Sequence, residues 1–150
     1  MRLRPMLYAL LALPLPLSLD LHAAAAYRMT VYKTTTCGCC GKWVEHARAN
    51  GFQVTVRDVP STAEYRRKYG VPEALQSCHT AIVGGYTIEG HVPAADMLRL
   101  LKTRPKAAGL AVPGMPMGSP GMEGARRDPY SVVLFDAAGR FSVFRKYAGD

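Results

Sequence analysis

Three of the four cysteines fall within four residues, Cys37-Gly38-Cys39-Cys40, and where this cluster sits constrains the fold more than any bulk property does. Before it, Met29 and Val31 alternate with Thr30 in a segment rich in β-branched and aromatic residues, which predicts a strand to Lys33. After it, Gly41 to Ala49 carries Val44 and Ala47 three apart and stops at Asn50-Gly51, which predicts a helix. The sulfurs therefore stand at a helix start, where unpaired backbone amides and the helix dipole favour thiolate over thiol. Phe52, Val54 and Val56 alternate with polar neighbours and predict a second strand with one buried face, completing a β-α-β unit.

Further along, Ser61-Thr62-Ala63-Glu64 matches a capping box opening a second helix to about Tyr69. Thr80–Val83 and Tyr86–Glu89 flank Gly84-Gly85 and predict a hairpin. Pro93 opens a third helix, with Ala94, Met97, Leu98 and Leu101 at helical spacing and Lys102, Arg104 and Pro105 at its end. Residues 107–125 mix Gly109, Gly114, Gly118, Gly121 and Gly124 with Pro113, Pro116 and Pro120, so no regular element is expected there. Tyr130–Phe135 and Arg140–Lys146 form a last hairpin around Asp136-Ala137-Ala138-Gly139. The expected fold class is α/β. The order β-α-β-α-β-β-α with cysteines between the first strand and first helix resembles the thioredoxin fold over residues 28–104, followed by a Met/Gly/Pro-rich extension ending in a hairpin.

Arg2 and Arg4 precede an apolar run from Met6 to Leu19 and the small stretch Ala23–Ala26, so residues 1–26 read as a secretory signal. The run is too short and too proline-interrupted for a membrane span. The expected organisation is a signal at 1–26, a thioredoxin-like domain at 27–104, and a metal-binding extension at 105–150 packed on the same domain. Removing the signal leaves a net charge of +7, from a formal +8 for the whole chain. Those charges are scattered, with Arg66-Arg67-Lys68 the one run, and this argues against nucleic-acid binding. A periplasmic monomer without stable membrane insertion is expected.

Four cysteines in an exported chain admit three disulfide pairings, of which the one needing a Cys39–Cys40 bond is strained. Of the other two, Cys37–Cys40 with Cys39–Cys78 is the more natural. Cys37 and Cys40 also form a C-x-x-C redox pair, which makes a thiol–disulfide oxidoreductase an alternative function. Against that, Cys39 competes inside the pair. Moreover, Ser77-Cys78-His79-Thr80 occupies the place where comparable redox folds carry a cis-proline. A fourth sulfur is thus presented to the first three. Four soft thiolates suit Cu(I) or zinc, but three clustered ligands plus one depart from paired zinc knuckles. Met115, Met117 and Met122 add thioethers, useful to copper and poor for zinc. Copper, as several Cu(I) ions, is the expected cargo. Cys37, Cys39, Cys40 and Cys78 are the expected metal ligands, with Met115, Met122, His79 and His91 as further candidates. Met117 reads as loop packing, Met97 as core, His46 as an exposed helix position and Trp43 as packing behind the cysteine helix.

Thr36-Cys37-Gly38-Cys39-Cys40-Gly41-Lys42-Trp43 resembles the CopG-type copper-resistance proteins, a thioredoxin-like family catalogued as a domain of unknown function. Ser77–Thr80, Glu89–Ala94, Gly109–Pro116 and Gly118–Glu123 resemble its motifs in order and extend the match over the mature chain. The resemblance implies a periplasmic protein of Gram-negative bacteria with a cysteine-bridged copper cluster. On this chain Cys37, Cys39, Cys40 and Cys78 would be bridging thiolates, and Met115 and Met122 ligands from the extension. It implies a role in copper resistance, with Cu(I)/Cu(II) interconversion before efflux, periplasmic efflux components as partners, and possible copper oxidoreductase activity. A non-enzymatic copper chaperone or buffer would use the same residues.

Overall fold

A computed structural model describes residues 27–150. The signal-peptide reading of residues 1–26 lies outside the described residues. The elements run β1 (Arg28–Lys33), α1 (Gly38–Ala49), β2 (Gln53–Asp58), α2 (Ala63–Lys68), a 3-10 turn at Glu73–Leu75, β3 (Thr80–Val83), β4 (Tyr86–Glu89), α3 (Ala94–Thr103), β5 (Gly109–Ala111), β6 (Tyr130–Phe135) and β7 (Phe141–Tyr147). The seven strands form one mixed sheet in the order β2-β1-β3-β4-β5-β6-β7. β1 pairs β2 in parallel and β3 antiparallel. No helix among the described residues is long and apolar enough to cross a membrane.

Side chains alternate across each strand, so neighbouring residues serve opposite faces. Val31, Ile88 and Leu110 join α1 (Trp43, Val44, Ala47) and α3 (Met97, Leu100, Leu101) in the larger core. Val71 and Leu75 cover Ala111, Val133 and Phe135 on the other face. There Tyr32 stacks on Tyr65 of α2 with ring centres 4.0 Å apart. Each fully buried Leu, Ile or Met contributes roughly 1.5–3 kcal/mol, which is what holds α1 and α3 against the sheet.

Three expectations are corrected. A strand, β5, lies inside the segment read as irregular, pairing β4 in parallel and β6 antiparallel. Glycine is what permits it, because a Cβ on Gly109 would collide with the Thr87 carbonyl. The C-terminal hairpin thereby continues the sheet of the first four strands. The capping box does not close: Ser61 Oγ accepts the Ala63 N–H at 3.2 Å, and Thr62 Oγ1 is taken by Arg66. This two-residue serine turn is the local alternative such hydroxyls offer. His46 is half-buried rather than exposed, because its Nε2 accepts the Ala94 N–H at 3.0 Å and fastens α1 to the start of α3.

Candidate metal centre

The first turn of α1 begins inside the cysteine cluster. Cys37 is the N-cap, and Cys39 and Cys40 lie in the opening turn, with Cys40 fully buried and Cys39 half-buried. Cys37 and Cys40 are joined by a disulfide, while Cys39 and Cys78 are free. Cys39 Sγ lies 3.5 Å from Cys37 Sγ, and all four sulfurs fall within 4.8 Å of one another. Two-electron reduction of the Cys37–Cys40 bond would present four unbridged sulfurs at one point.

The fourth sulfur arrives on a different element. Cys78 leads into β3, and the segment around it is held from both sides. Glu89, opposite Thr80 across the β3–β4 ladder, accepts the Ser77 N–H on Oε1 and the Thr80 hydroxyl on Oε2, each at 2.7 Å. Arg66 of α2 donates to the Ser77 carbonyl at 3.1 Å. Glu89 is fully buried, and burial raises its carboxyl to about 7 despite the hydrogen bonds from Thr80 and Ser77. Sequence reasoning assigns Glu89 no role of its own, although it ends β4 and opens the Glu89–Ala94 stretch.

Cys78 Sγ lies 3.0 Å from His91 Nε2 and 3.3 Å from His79 Nδ1. His91 Nδ1 is 2.7 Å from the Pro120 carbonyl oxygen. A carbonyl only accepts, so Nδ1 carries the proton and the Nε2 lone pair faces the sulfur. His79 is fully buried between Trp43, 4.3 Å away between ring centres, and His91 at 5.2 Å. Burial first, then His91, depresses His79 to about 3, and burial likewise lowers His91. Both imidazoles are therefore neutral near pH 7, the form that ligates metal. Burial and the Cys39 charge push the Cys78 thiol up to about 12, so a metal there must displace a proton.

The extension closes over this arrangement. Ser77 Oγ donates to the Gly114 carbonyl, and the Gly114 N–H to the Gln76 carbonyl at 3.4 Å. Gly121, at φ +86°, packs so tightly that a Cβ would stand 2.7 Å from the Cys39 carbonyl oxygen and 3.3 Å from His91 Nδ1. Met115 and Met122 each follow one of these glycines, Met115 half-exposed at 51% and Met122 partly buried. Met117 is loop packing, its methyl against Gly124, while Met97 and Trp43 are core, with Trp43 Nε1 donating to the Val92 carbonyl at 2.9 Å. The structure thus gathers the four cysteines, and Cys78 with His79 and His91, into two overlapping sets that could hold metal.

Residues 75–122 match a family described as a protein of unknown function, DUF411. No curated protein matches the chain. Two solved structures of a copper resistance protein CopG superpose with a TM-score of 0.77. The form 2 structure is 45% identical, and the form 1 structure 46%, each alignment covering 81% of this chain and 98% of that one. With that identity over nearly the whole length of the solved relatives, and with the cysteines that carried the resemblance gathered at one point, the chain belongs to the CopG copper-resistance family.

Proposed function

We propose that this protein is a periplasmic copper-binding protein of copper resistance, whose reduced cysteines bridge several Cu(I) ions. The observation that carries the reading is the meeting of four sulfurs, from α1 and from the approach to β3, within 4.8 Å. Closely spaced thiolates are suited to sharing soft monovalent ions between them. In this reading residues 27–104 form a thioredoxin-like scaffold, and the extension from residue 105 supplies Met115 and Met122 as thioether ligands. Conversion between Cu(I) and Cu(II) before hand-over to efflux components is its activity. The likeness to copper resistance proteins CopG supports the cargo, and the fastening of Gly114 and Gly121 to the cysteine centre supports the methionines.

The test is the copper and free-thiol content of residues 27–150, reduced and loaded with Cu(I) anaerobically. Several coppers per chain are expected, with thiols masked until a chelator strips the metal, and a lower copper content in Cys37→Ser and in Cys78→Ser. Unchanged copper in both variants would refute the reading.

The Cys37–Cys40 disulfide favours a second reading, a thiol–disulfide oxidoreductase acting on proteins. It predicts that metal-free protein turns over a model disulfide substrate; absence of turnover removes it. A copper chaperone or buffer is separated from the first reading by whether bound copper changes oxidation state.

A further inference from the structure

The two edges of the seven-stranded sheet are finished differently. On β2, Gln53, Thr55 and Arg57 face solvent while Val54 and Val56 pack on the larger core. β7 is the longest of the seven strands, and its Phe141 and Val143 are each 53% exposed. They pair with Phe135 and Val133, so they stand on the sheet face that Val71 and Leu75 cover, outside that cover. The outer backbone groups of β7 meet no partner among the described residues. We infer that β7 is a docking edge, on which an extended segment of a partner protein, alternating apolar and acidic residues, adds as an eighth strand.

The way β7 is fastened leaves its first half open. The register shifts at Val132/Val133, and past that bulge the strand is tied to α3. Tyr147 donates to Asp96 Oδ2 at 2.7 Å, Arg145 lies 3.6 Å from Asp96 Oδ1, and Arg99 sits over the Phe144 ring at 4.8 Å. Residues 141–143 pair with β6 alone. Natural sheets blunt such an edge with charge, proline or a covering element. Phe141, Ser142 and Val143 carry neither charge nor proline.

Charge selects the occupant. Lys106 lines a cleft of about 220 Å³ with Phe141 and Ser142 at one end of β7, and Lys146 stands near the other end. Neither lysine is in an ion pair among the described residues, whereas Arg140 is held by Asp136 and Arg145 by Asp96. Two unmatched ammonium groups thus bracket the apolar pair along a strand of roughly 23 Å. The β7 of a second copy would bring more cations and no carboxylate to the contact, which opposes pairing of like copies. An acidic segment supplies carboxylates to both ends, covers Phe141 and Val143 with its apolar residues, and completes the open ladder with its main chain. β3 is four strands away, roughly 19 Å at ordinary spacing, so a docked strand does not cover Cys78.

The experiment titrates residues 27–150 into a fluorescein-labelled octapeptide of alternating glutamate and valine, read by fluorescence anisotropy. Amide chemical shifts of isotope-labelled protein locate the contact. Saturable binding is expected, with shift changes concentrated on β7, and none with an octapeptide of alternating lysine and valine. N-methylation of the two central peptide residues removes a donor from either edge and should weaken binding at least about tenfold. Phe141→Ser combined with Val143→Ser should also weaken it at least about tenfold, through lost apolar burial. Circular dichroism reports whether that variant folds; the N-methyl comparison on wild-type protein keeps the test decisive if it does not. Lys106→Gln combined with Lys146→Gln should cost roughly threefold. Equal affinity for the N-methylated peptide, or shift changes away from β7, overturns the proposal. So does self-association in sedimentation velocity that the Phe141→Ser, Val143→Ser variant abolishes, which assigns the edge to a second copy. Binding to phosphatidylglycerol vesicles without binding to the peptide also overturns it and assigns the edge to a membrane surface.

Discussion

The sulfurs of α1 and the sulfur before β3 belong to one centre but live in different surroundings. Cys37, Cys39 and Cys40 ride on a helix start, sequence neighbours whose spacing already brings two of them into a disulfide. Cys78 follows Ser77, whose backbone is clamped by Glu89 and Arg66; it is flanked by two buried imidazoles and held as a thiol with its pKa pushed to about 12. The comparison shows how one residue type is given two jobs. Local backbone geometry brings two of the first group within disulfide reach, whereas burial and the nearby Cys39 charge hold Cys78 as a thiol, so a metal there must displace a proton.

Removing one sulfur from each region gives the largest contrast. Cys78→Ser strips the sulfur common to both donor sets and should leave no copper tight enough to survive desalting against a chelator. Cys37→Ser should lose the multi-copper cluster but, with Cys39, Cys40, Cys78 and both imidazoles still in place, retain about one copper per chain. Equal copper in the two variants would erase the distinction.

Tertiary support of each region can be broken next. Gly121→Ala forces a side chain onto the Cys39 carbonyl oxygen, the Trp43 amide and His91 at a backbone angle that favours glycine. A loss of about 2 kcal/mol is expected, near 8 °C in the Tm of metal-free protein. Trp43→Phe orphans the buried Val92 carbonyl and should cost about 1–3 kcal/mol in urea unfolding. A Gly121→Ala protein as stable as wild type would show that the extension does not close on α1 as described.

The smallest effect concerns pH and isolates the Cys78 side. His79 titrates near 3 when folded against an ordinary 6.5, so its contribution to stability is present above pH 6.5 and is lost as the pH falls. Glu89 works in the opposite sense. Folded, it keeps its proton to about pH 7, while the unfolded chain releases it near 4.5, so its destabilising contribution fades as the pH drops through that window. Between pH 6.5 and 5 the two oppose each other. Glu89→Gln keeps an acceptor for the Ser77 N–H and leaves His79 unopposed. Metal-free variant should therefore lose stability on acidification more steeply than wild type, by up to about 1.4 kcal/mol per pH unit. Parallel pH profiles of the two proteins would show that Glu89 is not a buried acid in solution.

Much of this was legible in the sequence because it is local. Alternation with period two placed β1 and β2, turn residues placed the β3–β4 and β6–β7 hairpins within a residue or two, and helical spacing placed α1 and α3. Cys78 stands out in the sequence because the resemblance to a thioredoxin fold leads one to expect proline there, and His79 and His91 lie in short motifs with it. What was missed depends on partners distant in the chain. β5 is three residues long and exists because β4 and β6 flank it, and glycine lets Thr87 approach; its Gly- and Pro-rich surroundings point the other way. The role of Glu89 follows from a cross-strand pairing with Thr80, and the orientation of His91 from a carbonyl 29 residues further on.

By itself the sequence determined which side chains are chemically able to hold a soft metal, since ligand type and helix-start placement are properties of short segments. Tertiary structure decided which of them meet and in what protonation state. Proximity, burial and the choice of histidine nitrogen are set by how β3, β4 and the extension pack on α1, and no short segment contains that packing.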